Sequence, residues 1–298
     1  MTTRFIAHDA PSELRATLSG LGRGPYDPTI TLGAGEVWRA TNTPDGPGTQ
    51  RLTAVAGGIE VEAFGAGACW LLDRAPALVG MHDRSDEFVP THRRIAELHH
   101  RYRGLRLTTA ANPIEIMVPT ILEQKVTSIE AHRAYRRLVR AHGHVAPGPR
   151  PLLLPPTPPE LAALTSFEWH ACGVERRRAD TVRAVCQRAA AIDRVAERGS
   201  AEFQRAIVSI PGIGVWSATM VALLAFGDPD AVIIGDYHLP SFVGWSLVGE
   251  RDADDERMLE LLEPFRPHRA RVVALLGREG VHAPRRAPKR ALRDIRAI

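Results

Sequence analysis

Cysteine is scarce in this 298-residue sequence, and the three that occur, Cys69, Cys172 and Cys186, lie far apart. There is no Cys-X-X-Cys pair, so neither a zinc ribbon nor a cysteine-ligated cluster is supported. A sparse, odd cysteine count fits the reducing cytoplasm. The amino terminus also lacks the apolar core of a signal peptide. We therefore expect a cytoplasmic protein with no metal site.

Lysine is scarcer still, because Lys125 and Lys289 are the only two lysines among 38 basic residues. Arginine suits bidentate phosphate contacts, although a biased genome composition would produce the same preference. The formal net charge of +4 is only a weak indication of a nucleic-acid partner. The charge distribution indicates more, because the segment from Pro264 to Ile298 carries a net charge of +8. Its basic residues are Arg266, Arg269, Arg271, Arg278, Arg285, Arg286, Lys289, Arg290, Arg293 and Arg296.

Such a basic end suits a phosphate backbone, and a solvated tail is the alternative. Long apolar runs are also rare, and the longest charge-free stretch extends from Ala206 to Gly227. It could cross a bilayer by length alone, but Pro211, Gly212 and Gly214 interrupt it. We expect a buried turn and helix there, with no membrane span.

The sequence changes from strand patterns to helix patterns near Pro90. Residues Thr29 to Met81 read as strands of an antiparallel sheet, and a short helix is expected near Pro11 to Leu18. After Pro90, apolar residues recur at helical spacing, with a proline-rich loop over 143–159. Thr157 and Glu160 resemble a capping box, and Ser200 is a plausible N-cap. We predict an α+β protein with a sheet domain over 1–90, an all-helical core over 91–283 and a basic tail over 284–298.

The most informative segment is Ser209 to Ala218, where a helix ends, the chain turns and a second helix starts. The turn consists of Pro211, Gly212, Ile213 and Gly214. Glycines allow the backbone to approach another surface closely, and amides at a helix start can bind a phosphate. The alternative is an ordinary corner between two core helices.

An acid follows this turn at a defined distance, since Asp236 lies 22 residues after Gly214. It comes after the apolar run Val232-Ile233-Ile234, which could hold a carboxylate in a low-dielectric pocket. The usual fate of such an aspartate is a helix cap. The hairpin and the spaced acid together resemble the helix-hairpin-helix (HhH-GPD) DNA glycosylase superfamily.

The resemblance extends over most of the chain. Asn112 to Ser128 looks like the first core helix of that superfamily, and Pro264 to Arg271 looks like its closing helix. The preceding α/β domain is similar to the bacterial 3-methyladenine DNA glycosylase II branch. The resemblance implies base excision from double-stranded DNA, by a monomer in the bacterial cytoplasm associated with the nucleoid. It implies no cofactor beyond a monovalent cation that would bridge the hairpin and a phosphate.

The resemblance also implies residue roles. Asp236 would be the catalytic carboxylate, which stabilises positive charge on the sugar. Some relatives carry a Schiff-base lysine where this chain has Trp216, so we expect a monofunctional enzyme that leaves an abasic site. Trp216, Tyr237 and, less strongly, Trp245 are candidates for stacking on a flipped base, with core packing as the alternative. Gln124 and Lys125 stand where relatives fill the gap left by that base. A helix-end hydrogen bond is the alternative for Gln124, and a phosphate contact is the alternative for Lys125.

Two departures concern the closing helix. His268 and Gly277 stand near positions where the alkylation branch commonly has tryptophan. Their presence puts a preference for alkylated purines in doubt. A non-catalytic helix-hairpin-helix DNA-binding protein therefore stays the main alternative, and a structural protein with a fortuitous turn is the second.

Overall fold

The amino-terminal part of the chain forms a five-stranded antiparallel sheet in the computed structural model, which describes residues 2–281, 292 and 294–297. The strand order is β1-β5-β4-β3-β2. Successive side chains of a strand point to opposite faces of the sheet, and the alternate residues Ile59, Val61 and Ala63 of β5 are all fully buried on one face. The strands are β1 (Thr2–Ala7), β2 (Ile30–Leu32), β3 (Glu36–Thr43), β4 (Gly46–Val55) and β5 (Gly58–Gly65).

Two features of this domain differ from the sequence prediction. The strand Thr2–Ala7 was not expected, because Ile6 is its only buried residue and no alternation marks it. It is defined by its pairing with the distant strand β5. In contrast, Ala68–Leu78, which the sequence pattern assigns to strand, is helix α2. Its buried residues Leu71, Leu72 and Ala75 have helical spacing, so they pack on the sheet as one helix face.

Helices make up most of the chain after the sheet, as expected. A two-stranded ribbon, β6 (His144–Val145) with β7 (Leu153–Leu154), lies in the region we predicted as loop. The helices are α1 (Leu14–Leu18), α2 (Ala68–Leu78), α3 (Arg93–Arg101), α4 (Pro113–Leu122), α5 (Ser128–His142), α6 (Pro158–Ala163), α7 (Ser166–Ala171), α8 (Arg176–Cys186), α9 (Ala189–Ala196), α10 (Ser200–Ile207), α11 (Val215–Phe226), α12 (Leu239–Val248), α13 (Asp255–Leu262) and α14 (Arg269–Glu279).

Local capping signals explain several helix boundaries. The capping box of Thr157 and Glu160 is present at the start of α6. The predicted N-cap at Ser200 is wrong, because Gly199 occupies the N-cap position of α10. The Ser200 hydroxyl instead donates to Asp228 Oδ2 at 2.5 Å. The Ser200 hydroxyl therefore makes a long-range hydrogen bond. Nothing in the local sequence distinguishes a serine that caps its own helix from one that binds a distant acid.

The helical region is divided between two hydrophobic clusters. The first joins the sheet to α4, α5, α8, α10 and α11, with Leu138 and Val221 at its centre. The second joins α3 to α12, α13 and α14, with Ile95 and Met258 at its centre. The connection from α11 to α12 passes from one cluster to the other, and Asp236 lies on it.

The arginines at the carboxyl end mostly face acids of the protein itself. Arg271 forms a buried ion pair with Asp83, and their side chains are only 2% and 3% exposed. Arg269 binds Asp230 at 2.7 Å, and this contact joins α14 to the chain after α11. Arg266, Arg278 and Arg296 also have acidic partners. These five arginines therefore do not form the free basic patch that we expected.

The remaining members of that patch, Arg285, Arg286, Lys289, Arg290 and Arg293, lie outside the described residues, as does most of the predicted tail over 284–298. The charge-free stretch of Ala206 to Gly227 becomes the end of α10, a turn and α11. In the part of the chain that the structure describes, no helix has the length and apolarity needed to cross a membrane.

Candidate active site and nucleic-acid interface

The predicted hairpin connects α10 to α11, and its conformation depends on Gly212. This residue has φ +89°, and a Cβ atom added there would lie 2.1 Å from Thr181 Oγ1 on α8. Only glycine satisfies both the left-handed backbone and the close approach to α8. Ile213 is 5% exposed and belongs to the first hydrophobic cluster, so its side chain holds the turn against the core.

The hairpin presents unpaired backbone amides to solvent. Among the described residues, the N–H groups of Gly214, Val215 and Trp216 have no hydrogen-bond acceptor. They lie at the start of α11, where the helix dipole adds partial positive charge. This arrangement is suited to binding a phosphate oxygen. Ile213 differs from its expected contact role, because its amide already donates to Ile210 O at 3.0 Å and its side chain supports the turn.

Gln124 braces the hairpin from the turn between α4 and α5. Its Nε2 donates to Gly212 O and to Ser217 Oγ, both at 2.9 Å. The structure therefore favours the hydrogen-bonding alternative for this side chain. The bond leaves the carbonyl of Gly212 one further lone pair, which a monovalent cation could use.

Lys125 follows directly and is exposed, with φ +58°. A left-handed backbone is uncommon outside glycine, and such strain is found mostly at functional sites. The turn is held in place by Arg178, a buried residue of α8 whose Nη1 donates to Leu122 O at 2.6 Å. Lys125 therefore projects from a fixed turn beside the hairpin.

Asp236 occupies a turn whose geometry is set by α12. Its Oδ1 accepts hydrogen bonds from the amides of His238 at 2.8 Å and Leu239 at 2.9 Å. The carboxylate thus closes the turn in front of α12 but is not its N-cap, which is His238, so the helix-cap role that we gave as the alternative is not the one it has. Its Oδ2 accepts from Trp216 Nε1 at 3.3 Å. The two sets of contacts are compatible, because one oxygen fixes the side chain while the other faces the residue next to the hairpin.

The aromatic candidates are placed differently from one another. Trp216 is the second residue of α11, half-buried, and its indole touches the Asp236 carboxylate. Tyr237 is 89% exposed and contacts only the His238 ring, so it does not line a pocket in this conformation. Trp245 lies on α12 with the guanidinium of Arg251 5.9 Å from its ring.

His268 and Gly277, the two residues near positions where the alkylation branch commonly has tryptophan, have different surroundings. His268 is buried, with its ring 5.1 Å from that of Phe88. Burial and the nearby charge of Arg271 lower the pKa of His268. Gly277 is exposed on α14, and a Cβ atom there would meet nothing within 4 Å. His268 is therefore part of the core, whereas Gly277 leaves open space on the helix surface.

Several residues that shape the site could not be found from the sequence. Thr181 limits the hairpin at Gly212, Ser217 binds Gln124, and Arg178 fixes the turn that carries Lys125. Their contacts join positions 31, 93 and 56 residues apart in sequence. They carry no local signal, because serine, threonine and arginine within a helix are ordinary.

Two parts of this structure, a helix-hairpin-helix element with free amides and a carboxylate beside its second helix, define a helical fold whose hairpin is suited to binding an anion such as a phosphate. The family model described as "HhH-GPD superfamily base excision DNA repair protein" matches residues 118–267, half of the chain. The chain belongs to this family.

Known proteins and structures support the same assignment. The probable bifunctional transcriptional activator/DNA repair enzyme AlkA of Mycobacterium tuberculosis is 30% identical over 139 residues, covering 46% of this chain and 28% of that protein. The chain therefore spans less than a third of the length of this curated relative.

Among solved structures, the 3-methyladenine DNA-glycosylase from Archaeoglobus fulgidus has a TM-score of 0.72 at 17% identity, covering 94% of this chain and 99% of that one. The 8-oxoguanine glycosylase/lyase of Clostridium acetobutylicum, bound to double-stranded DNA, has a TM-score of 0.61 at 12% identity, covering 85% and 98%. At these identities the likeness shows the fold.

Proposed function

We propose that this protein is a monofunctional DNA glycosylase that removes damaged, alkylated bases from double-stranded DNA and leaves an abasic site. The observation that carries the proposal is the position of Asp236. Its carboxylate is fixed by the amides of His238 and Leu239 at the start of α12 and lies against Trp216, two residues after Gly214 of the hairpin. The amides that would bind a phosphate and the Asp236 carboxylate are thus close together, although the hairpin packs in the first hydrophobic cluster and the turn of Asp236 packs in the second.

The chemistry follows from these groups. The hairpin amides bind a backbone phosphate, and the target nucleotide leaves the base stack to reach the site. The bond between the base nitrogen and C1′ breaks, and its electron pair goes to the departing base. Asp236 stabilises the positive charge that develops on the sugar. A water oxygen then bonds to C1′ and gives up one proton, which the departed base takes if it left as an anion and which goes to solvent if the base left as a neutral molecule. An alkylated cationic base leaves readily because it departs as a neutral molecule.

The monofunctional assignment rests on Trp216. An indole cannot form an imine, so this position cannot supply lyase chemistry. Treatment of the reaction with borohydride, which traps imines, should give no covalent protein–DNA adduct. An adduct would contradict the assignment. Lys125, whose amine lies on the turn beside the hairpin, would then be tested by substitution with arginine.

Alkylated bases are the proposed substrates because this chain has relatives among alkylation-repair enzymes and a Trp216 ring beside the carboxylate. The names of the M. tuberculosis relative and of the A. fulgidus enzyme point the same way. The buried His268 and the open surface at Gly277 favour one second candidate, a DNA-binding protein that has lost base excision.

A lesion panel tests the proposal and separates the two candidates. Duplexes that each carry one alkylated, oxidised or deaminated base are scored for abasic-site formation under single-turnover conditions. Wild type should release at least one alkylated base, and Asp236→Asn should do so about 100- to 1000-fold more slowly. The asparagine oxygen can still accept hydrogen bonds from the amides of His238 and Leu239, so the fold and the DNA affinity should be retained.

Two results would contradict the proposal. Equal rates for wild type and Asp236→Asn would remove Asp236 from the mechanism. Tight, salt-sensitive binding of wild type to DNA without release of any base in the panel would favour the binding protein.

A further inference from the structure

A second acid lies behind the turn that carries Asp236. Asp255 is the first residue of α13, and its Oδ2 accepts a hydrogen bond from the amide of Gly235 at 3.0 Å. Gly235 is the residue directly before Asp236. Asp255 therefore contacts the backbone of the turn directly before Asp236.

Helix capping does not explain Asp255. The N-cap of α13 is Asp254, whose carboxylate accepts from the amide of Arg257 at 2.9 Å. The bond to Gly235 is the contact that the Asp255 side chain makes among the described residues, and it crosses to another element. Asp254 and Asp255 are adjacent acids with separate tasks, so each serves as a control for the other.

The other carboxylate oxygen of Asp255, Oδ1, is buried and has no hydrogen-bond donor in the described part of the chain. Among the described residues, the hydrogen bond of the Asp255 carboxylate is therefore the one that Oδ2 accepts from the Gly235 amide.

The backbone at Gly235 needs such support. Gly235 has φ +82° and is exposed, and the space where a Cβ atom would stand is open. Glycine has access to more backbone conformations than any other residue, so a hydrogen bond to its amide restricts the turn. Without the Asp255 bond, the hydrogen bonds that hold the turn next to Asp236 would be those that the Asp236 side chain itself accepts from His238 and Leu239.

We propose that Asp255 is a positioning residue: by binding the Gly235 amide it holds the Asp236 carboxylate against Trp216, at the place where the sugar charge develops. This inference rests on the proposed glycosylase function for its kinetic consequence. Its geometric consequence, the contact between Asp236 and Trp216, is independent of any reaction.

The kinetic test compares three variants. Asp255→Ala removes the acceptor and should lower the single-turnover excision rate about 10- to 100-fold, the usual effect of one charged hydrogen bond. Affinity for a duplex with a stable abasic-site analogue should stay within about twofold, because the hairpin is untouched. Asp255→Asn keeps an oxygen acceptor and should restore most of the rate. Asp254→Ala should lower the melting temperature yet leave the excision rate close to wild type.

A spectroscopic test needs no DNA. The five tryptophans give five indole N–H resonances in a proton–nitrogen NMR spectrum, and Trp216→Phe identifies the one from Trp216. In Asp255→Ala this resonance should shift and exchange faster with solvent, because its acceptor on Asp236 is no longer held. In Asp254→Ala and Asp255→Asn it should stay in place.

Three outcomes would overturn the inference. These are an unchanged Trp216 resonance in Asp255→Ala, an equal shift in Asp254→Ala, or an Asp255→Asn variant as impaired as the alanine one. An Asp255→Asn variant as impaired as the alanine one would mean that the excision rate depends on the charge of Asp255 and not on its hydrogen bond. If wild type excises nothing, the proposed function fails, while the NMR result still decides the role of Asp255.

Discussion

At the level of single residues, the two hairpin glycines have different requirements. Gly212 needs its left-handed backbone and its contact with Thr181, whereas Gly214 has an extended backbone and open space around its Cβ position. We predict that Gly214→Val folds like wild type but binds duplex DNA at least about tenfold more weakly, because its side chain obstructs the free amides. Fluorescence anisotropy with a labelled duplex measures the affinity.

Gly212→Val is the matched comparison. Its side chain would collide with Thr181, so this variant should lose several degrees of melting temperature in addition to DNA affinity. A Gly214→Val protein with wild-type affinity would place the phosphate anchor elsewhere. The tail beyond the described residues would then be the next candidate.

At the level of helices and turns, the connection between α4 and α5 is part of the hairpin's support. Gln124→Ala removes two hydrogen bonds to the hairpin side, at Gly212 O and Ser217 Oγ. We expect the unfolding free energy to fall by about 1–3 kcal/mol. Amide hydrogen exchange across the hairpin should accelerate as the turn loosens, and mass spectrometry of peptic fragments can measure it.

Lys125→Ala is the control from the same turn. Its side chain is exposed, so stability should not change, but a lost phosphate contact would reduce the slope of log affinity against log salt by about 0.9. If Gln124→Ala left both hydrogen exchange and stability unchanged, the brace would have no energetic role.

Helix α8 supplies a further prediction about the DNA-facing surface. Arg177 is exposed and, among the described residues, has no acidic partner. It lies one turn before Thr181, which contacts Gly212. We predict that Arg177 binds the phosphate next to the one on the hairpin, so that Arg177→Gln lowers the salt slope by about 0.9.

The neighbouring Arg176 provides the control, since it is equally exposed but pairs with Asp180 at 3.7 Å. Arg176→Gln changes the net charge by the same amount and should leave the salt slope close to wild type. Equal slopes for the two variants would attribute the effect to net charge alone.

The helices and strands also show which parts of this fold a sequence can predict. Amphipathic spacing indicated most helices, and the pairing of the Pro-Gly-Ile-Gly turn with Asp236 predicted the candidate site. The edge strand Thr2–Ala7 was not predicted, because what defines it is its pairing with a strand some 56 residues away. The hydrogen bonds by which Arg178 and Asp255 support the site were missed for the same reason, since long-range hydrogen bonds leave no periodic pattern in the sequence.

For the protein as a whole, stability should depend on pH through three histidines. Burial lowers the pKa of His8, His99 and His268, and the charge of Arg271 lowers that of His99 and His268 further. These groups are neutral when folded, and the unfolded chain takes up protons more readily below pH about 6.5. Their contribution is therefore complete above that pH and is lost as the pH falls towards the folded values.

Urea unfolding at several pH values between 7.5 and 5 checks this prediction. The unfolding free energy should fall with decreasing pH, by up to about 1.4 kcal/mol per pH unit for each histidine. His99→Leu should reduce the slope, whereas His100→Leu, a change at its exposed neighbour, should leave it unchanged. Parallel slopes for these two variants would contradict the assignment to His99.

The division of the helices between two clusters has a consequence for biosynthesis. All buried members of the first cluster precede Phe226, so the sheet and the hairpin can fold while the rest of the chain is still being translated. The second cluster needs Leu275 and Leu276, although it begins at Phe88. The turn of Asp236 packs with this later unit through Val232 and Leu239. A nascent chain can therefore complete its hairpin first, and the turn that carries the Asp236 carboxylate is packed only after Leu275 and Leu276 have been synthesised.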